Sequence, residues 1–284
     1  MHPRWLAKPT QDLTQIPFKQ AARPLNWSRK PTEEELNRRF FYKFDRNSDF
    51  PRVAVDERFG VGDPVHYSSG CGFDHMLPGV WRIDVDFSPD FDFSMLPSPV
   101  WSGFTWLATP IVRFLVGVGC GIHVNEAWVF PQHEYVFRKW GKSLWDYSQE
   151  HKRGTKERDA FKMIMNEPLG LIRSDKFGTD SFKYRPDWNA TIVAGSRANV
   201  LRKVYKYAQN GHYPVMVRTD AIYYLSDEKL PNVALPGILD HSGSLGGYKL
   251  EWCLDVNNEV RSALAMTGNN RLSTLNAMAE KAGF

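Results

Sequence analysis

Three cysteines in 284 residues, Cys71, Cys120 and Cys253, are too few and too far apart for a disulfide framework or a zinc cluster. A reducing, cytoplasmic setting is the simpler reading. Long apolar runs are also missing. The longest, "WLATPIVRFLVGVGCGI", is broken by Arg113, proline and glycine and is too short to span a bilayer. The first residues, "MHPRWLAKPTQDLTQ", are polar and read as no leader. The phosphate-loop pattern GxxxxGK[ST] is absent, no two histidines have zinc-ligand spacing, and no internal repeat is visible. Neither sign of charge is in large excess. The formal net charge of +4 permits a polyanionic partner without demanding one. What is present is core material: 42% of the residues are hydrophobic and 14% aromatic, enough for one large or two modest domains.

The order of patterns along the chain is mixed α+β. Residues 1–37 are polar and Pro-rich and read as an N-terminal arm. "RRFFYKFD", "PGVWRIDVDF" and "GIHVNEAWVF" alternate as strands. "HEYVFRKWGKSLWDYSQEHKR" has helical rhythm. "TKERDAFKMIMNEPLGLI" predicts a helix from Thr155 to about Asn166, stopped by Pro168 and Gly170. "NATIVAGSRANVLRKVYKYAQNG" is a long helix with an Asn/Gly stop. A strand pair around Asp220, a strand in "GGYKLEWCLDV" and a short final helix follow. Strands from these distant segments are expected to share one sheet.

Three stretches carry chemistry. In "FYKFDRNSDFPRV" an apolar strand ends in Asp45, which suits metal binding because the carboxylate leaves the sheet from a rigid base; the ordinary alternative is a helix cap. In "RDAFKMIMNEPLG", Arg158, Lys162 and Asn166 fall at i, i+4 and i+8 on one helical face. That row suits a triphosphate, and the ordinary alternative is a solvated face. In "VMVRTDAIYYLSD", Asp220 interrupts an apolar strand pattern. A carboxylate there is costly to desolvate unless a cation meets it, and the ordinary alternative is an acid in a hairpin turn. A competing first acid lies among Asp84, Asp86, Asp90 and Asp92. An EF-hand there fails for want of the glycine and terminal glutamate. Arg197, Arg202, Lys203 and Lys206 spread over the long helix and form either a solvated face or a contact to a nucleic-acid backbone. Trp101, Trp106, Trp128, Trp140 and Trp145 read as core.

Taken in order, these stretches resemble a family. "DRNSDFP" is similar to motif A of the family B DNA polymerases, Asp-x-Asn-Ser-x-Tyr-Pro in the protein-primed type. "KMIMNEPLG" resembles motif B, Lys-x-x-x-Asn-Ser-x-Tyr-Gly, and "VRTDAIY" resembles motif C, Tyr-x-Asp-Thr-Asp-Ser. "GSLGGYKLE" is similar to the strand after motif C. The resemblance spans roughly residues 38–254. It implies that Asp45 and Asp220 hold two Mg²⁺ ions (Mn²⁺ being the substitute), with the Arg46 carbonyl as a further ligand. It also implies that Lys162, Asn166 and Arg158 contact the incoming dNTP and that Phe50 screens the sugar. Arg218, Arg202, Lys206 and Lys249 are the expected contacts to template and primer DNA.

Departures from the pattern are specific. Arg218 stands at the first acid of motif C and Ala221 at its serine. Glu167, Pro168 and Leu169 replace Ser-x-Tyr in motif B, and Pro168 is expected to end the helix early. The expected architecture is a palm-like antiparallel sheet backed by helices. Palm parts fall at 38–130 and 189–256, helical fingers at 131–188 and a helical tail at 257–284. No exonuclease domain is expected, and at most a rudimentary thumb. The expected function is DNA-directed nucleotidyl transfer in replication of a phage, plasmid or similar element, without a membrane. The alternatives are a degenerate relative that binds DNA or a replication partner, and an unrelated α+β enzyme.

Overall fold

The computed structural model describes residues 9–87, 91–100, 106–151, 155–172, 174–179, 181, 183–240, 244–266 and 268–284; the side chains of Lys162, Phe177 and Asn269 lie outside the description. Among the described residues the elements run in this order: α1 (Phe18–Ala21), β1 (Asn26–Ser28), α2 (Glu33–Leu36), β2 (Phe40–Arg46), α3 (Asp49–Asp56), β3 (Phe59–Gly60), β4 (Val65–Tyr67), β5 (Gly79–Asp86) and β6 (Trp106–Ala108). Then come α4 (Thr109–Gly117), β7 (Gly121–Val129), β8 (His133–Glu134), α5 (Arg138–Gln149), α6 (Lys156–Leu171), α7 (Pro186–Ala208), β9 (Met216–Arg218), β10 (Ala221–Ser226), α8 (Pro231–Ala234), β11 (Tyr248–Asp255), α9 (Asn258–Ala265) and α10 (Gly268–Lys281). No helix among the described residues is long and apolar enough to cross a membrane.

The chain forms two compact units. One comprises Met1–Pro24, Ser48–Phe91 and Ser98–Asn199; the other comprises Leu25–Asn47, Asp92–Pro97 and Val200–Phe284. The second unit is built on a five-stranded antiparallel sheet in the order β1-β9-β10-β2-β11. β10 is its middle strand, and β2, between β10 and β11, alternates its aromatic residues onto two buried faces. Phe41 packs with Tyr223, Trp252 and Leu254 under Val260 and Leu264 of α9 and Leu275 and Ala279 of α10. Tyr42 and Phe44 stack on the opposite face, where Tyr224 meets Tyr207 from the end of α7. Local sequence secures the edges. Thr32 and Glu35 form a capping box at α2, and Glu35 also pairs with Arg29 at 2.6 Å. Asn257 caps α9 by accepting from the Val260 N–H.

The first unit holds a four-stranded antiparallel sheet, β4-β7-β5-β6, and the small β3-β8 pair. This corrects the expectation of one shared sheet: "PGVWRIDVDF" and "GIHVNEAWVF" are strands, but they pair with each other and not with β2. Alternation identifies a strand and says nothing about its partner. Trp81 is buried and donates its indole N–H to Thr109 at 3.0 Å. A second core gathers Val53, Ala54, Phe59, Leu169, Ile172, Trp188 and Ile192.

Two further expectations are corrected here. Pro168 does not end α6, which continues to Leu171 with the proline inside it. Proline at 168 removes a single bond, to the Ile164 carbonyl, on a face where the Ile164 side chain is exposed. Leu169 and Ile172, buried against Trp188 and Val53, hold the last turn in place. Arg197 is not on a solvated face. It is 1% exposed and donates to the Pro99 carbonyl.

Candidate active site

Asp45 and Asp220 both belong to the second unit and come together at one end of its sheet. Register explains the meeting. Ile222 pairs with Phe44, so the residues just before β10 lie beside the last residues of β2. Asp220 is in the two-residue turn between β9 and β10, where Arg218 pairs with Ala221. Its neighbour Thr219 has φ 54°, the left-handed conformation that such a turn requires of one residue. Thr219 also donates its N–H to the Leu25 carbonyl at 2.7 Å. The hairpin-turn position and the position beside Asp45 are therefore the same place.

The electrostatics are those of crowded acids. Burial, then the charge of Asp45, pushes the Asp220 carboxyl up to about 6. Asp45 is also raised, first by burial and then by Glu251. Lys249 pairs with Asp45 at 3.4 Å and Lys43 pairs with Glu251 at 3.2 Å; both cations oppose the rise at Asp45 without cancelling it. Two carboxylates about 4 Å apart would repel by about 4 kcal/mol at an effective dielectric of 20. A divalent cation relieves that repulsion. Among the described residues no three His, Cys, Asp or Glu side chains converge as a metal cage.

The other predicted residues are distributed as follows. Arg46 donates Nε–H to the Gly246 carbonyl at 2.9 Å and lies 5.7 Å from the centre of the Tyr248 ring. Arg218 has its Nε buried without a hydrogen-bond partner among the described residues, and its charge helps lower the pKa of Arg271, after burial. Arg202 and Lys206 are exposed on α7. In the first unit, Asn166 is exposed on α6, and Arg158 donates to the His151 carbonyl at 2.9 Å and to Gln149 at 3.3 Å. Phe50, on α3, packs on the core around Val53 and Phe59. Lys162 lies in α6, and its side chain is not described. Asp84 and Asp86 lie on β5 of the first unit, where Asp84 accepts from Asn125 at 3.0 Å; Asp90 lies outside the described residues, and Asp92 caps Ser94 at 2.9 Å.

Glu251 and Lys43 were not among the predicted site residues. Lys43 is two residues before Asp45, and period-two spacing puts that pair on one face of β2. Glu251 falls at a bulge in β11 between Leu250 and Trp252, where alternation breaks, so spacing gives no sign of it.

No protein-family model and no curated protein sequence matches the chain. Solved structures do. Phi29 DNA polymerase in an orthorhombic crystal form aligns with TM-score 0.60 and 14% identity, over 86% of this chain and 48% of that one. Phi29 DNA polymerase complexed with primer-template DNA and incoming nucleotide substrates aligns with TM-score 0.59 and 16% identity, over 83% of this chain and 47% of that one. The chain has a polymerase-like fold. It spans about half the length of those polymerases.

Proposed function

We propose that the chain is the palm and fingers part of a DNA-directed DNA polymerase of the family B, protein-primed type. It would transfer a nucleotide from a dNTP to a primer 3′-hydroxyl on a DNA template, in replication of a phage, plasmid or similar element. The observation that carries the reading is the meeting of Asp45 and Asp220 at the end of the sheet, in a fold like that of Phi29 DNA polymerase.

The donor chemistry fits a hard divalent cation such as Mg²⁺ or Mn²⁺. Mg²⁺ is commonly held by one or two carboxylates, with substrate phosphates and water completing the shell. Asp45, Asp220 and the Arg46 carbonyl are the oxygen donors this chain offers. When bound, such ions would neutralise the acids and polarise the reacting phosphoryl oxygens. Phosphoryl transfer otherwise needs positioning and charge stabilisation more than covalent help. The reading assigns Lys162, Asn166 and Arg158 to the triphosphate. It assigns Phe50 to exclusion of a 2′-hydroxyl by its ring, without the OH of a tyrosine. Arg218, Arg202, Lys206 and Lys249 take the DNA phosphates.

The test is primer extension by the whole chain with Mg²⁺ or Mn²⁺. Wild type extends, and Asp220→Asn loses at least about a hundredfold in rate. A chain that extends equally well with Asn at 220 would contradict the reading. Arg218, a cation where the family pattern has an acid, favours a second reading, a relative that binds DNA without catalysis. Its signature is a salt-sensitive gel shift with no extension in either metal.

A further inference from the structure

The end of β2 is held by the turn from Ser244 to Gly247, which leads into β11. Asn47 donates its backbone N–H to the Gly247 carbonyl at 2.9 Å and accepts from the Gly246 N–H at 2.7 Å. The β2–β11 ladder thereby continues one step beyond the Arg46–Tyr248 pair. Arg46 Nε donates to the Gly246 carbonyl at 2.9 Å, and Asn47 Nδ2 reaches the Ser244 carbonyl at 3.5 Å. The turn has its own anchor. The Asp240 carboxylate accepts from the Ser244 N–H at 3.0 Å and from the Ser244 hydroxyl. The Asp240 N–H donates to the Tyr248 carbonyl at 2.9 Å. Gly246 has φ 80°, and a Cβ on Gly247 would fall 2.6 Å from the Asp240 Cβ and into its carboxylate.

We infer that the turn from Ser244 to Gly247, together with Asp240 bonded to it, is the positioning element of the acid pair. It sets the main chain of Asp45, Arg46 and Asn47, and with it the Asp45 carboxylate and the Arg46 carbonyl. Asp240 and Gly247 are positioning residues and need touch neither metal nor substrate. The physical need is plain. A strand frays where its ladder stops, while a metal site tolerates about 0.5 Å of misplacement. Here the ladder stops one residue past Asp45's neighbour, and backbone and side-chain bonds fasten that last step. Arg46 thus has a second part besides its carbonyl, because its guanidinium ties β2 to the turn.

This inference rests on the nucleotidyl-transfer reading, and its test separates the two. The variants are Asp240→Gly, Gly247→Ala and the double variant, in the full chain. Each single variant should raise the Mn²⁺ concentration for half-maximal extension about tenfold and lower kcat about 10- to 100-fold. The KM for dNTP should stay within about twofold, since the triphosphate contacts are elsewhere. The double variant should match Asp240→Gly alone, because removing the Asp240 side chain makes room for the methyl group. Hydrogen exchange at the Asn47 amide should rise in both single variants. Unchanged Mn²⁺ dependence with a deprotected Asn47, or losses that simply add in the double variant, would overturn the inference. Should Gly247→Ala not fold, Asp240→Asn against Asp240→Ala carries the test: Asn, which keeps an acceptor for Ser244, must recover most of the Mn²⁺ affinity. If wild type extends no primer, the nucleotidyl-transfer reading has failed. Mn²⁺ binding to the free chain, read by electron paramagnetic resonance, then decides the positioning claim through the same variants.

Discussion

Asp220 occupies a turn between two short strands with a second acid beside it, and that placement has a price in stability. Its carboxyl is raised to about 6, chiefly by burial, from an ordinary value near 3.8. The native state therefore holds a proton more tightly than the unfolded state between roughly pH 4 and 6. Metal-free stability should fall as pH rises through that window, and above it the loss is complete. Asp220→Asn should unfold like wild type near pH 4 but be more stable at pH 8 by roughly 1–3 kcal/mol. Equal stability at pH 8 in chelator would contradict this. Next to it, Thr219 is a β-branched residue at φ 54°. Thr219→Gly should relieve that strain and stabilise the chain by roughly 1 kcal/mol, net of glycine's entropy, in thermal unfolding. A fall in melting temperature would show the hairpin to be unstrained. At this scale the two acids were legible, because each broke an apolar pattern. Glu251 and the Asp240–Gly247 contacts were not, because their meaning depends on which strand lies alongside β2.

Elements obeyed local rules except where packing outweighed them. The strands β2, β5, β7 and β11 and the helix α7 follow from alternation and helical period. Pro168 misled because a proline penalty is local, whereas Leu169 and Ile172 on the same turn are buried in the core around Trp188. If that balance is right, Pro168→Ala restores a donor to the Ile164 carbonyl and stabilises the chain by about 1 kcal/mol without moving Leu169. Thermal unfolding checks it, and destabilisation would mean the helix depends on the proline. Arg197 misled for a related reason, since its spacing beside Arg202 suggests solvent but the side chain is buried. Of the tryptophans taken as core, Trp106, Trp128, Trp140 and Trp145 are only half-buried and Trp101 lies outside the described residues, while Trp81, Trp188 and Trp252 are buried.

Across the whole molecule, the sequence order of strands does not say which sheet they join. Sheet membership depends on pairing between segments far apart in sequence, which alternation does not encode. That is why β5 and β7 could be seen as strands and still be expected in the wrong sheet. The net charge of +4 is small, so the proposed DNA binding would draw on local cations. Arg202 and Lys206 are exposed on α7 and are assigned to phosphates. Neutralising either should weaken DNA binding about equally for all sequences and reduce the slope of log K against log salt by about 1. An unchanged slope would remove that residue from the DNA surface.

The claim on which the account turns is that Asp45 and Asp220 act as one cation-binding pair. Mn²⁺ titration followed by electron paramagnetic resonance reads this without requiring turnover. Wild type should bind Mn²⁺ at least about tenfold more tightly than either Asp45→Asn or Asp220→Asn, with the double variant little weaker than the singles. Retention of wild-type affinity in either single variant would show that the two carboxylates do not share a metal.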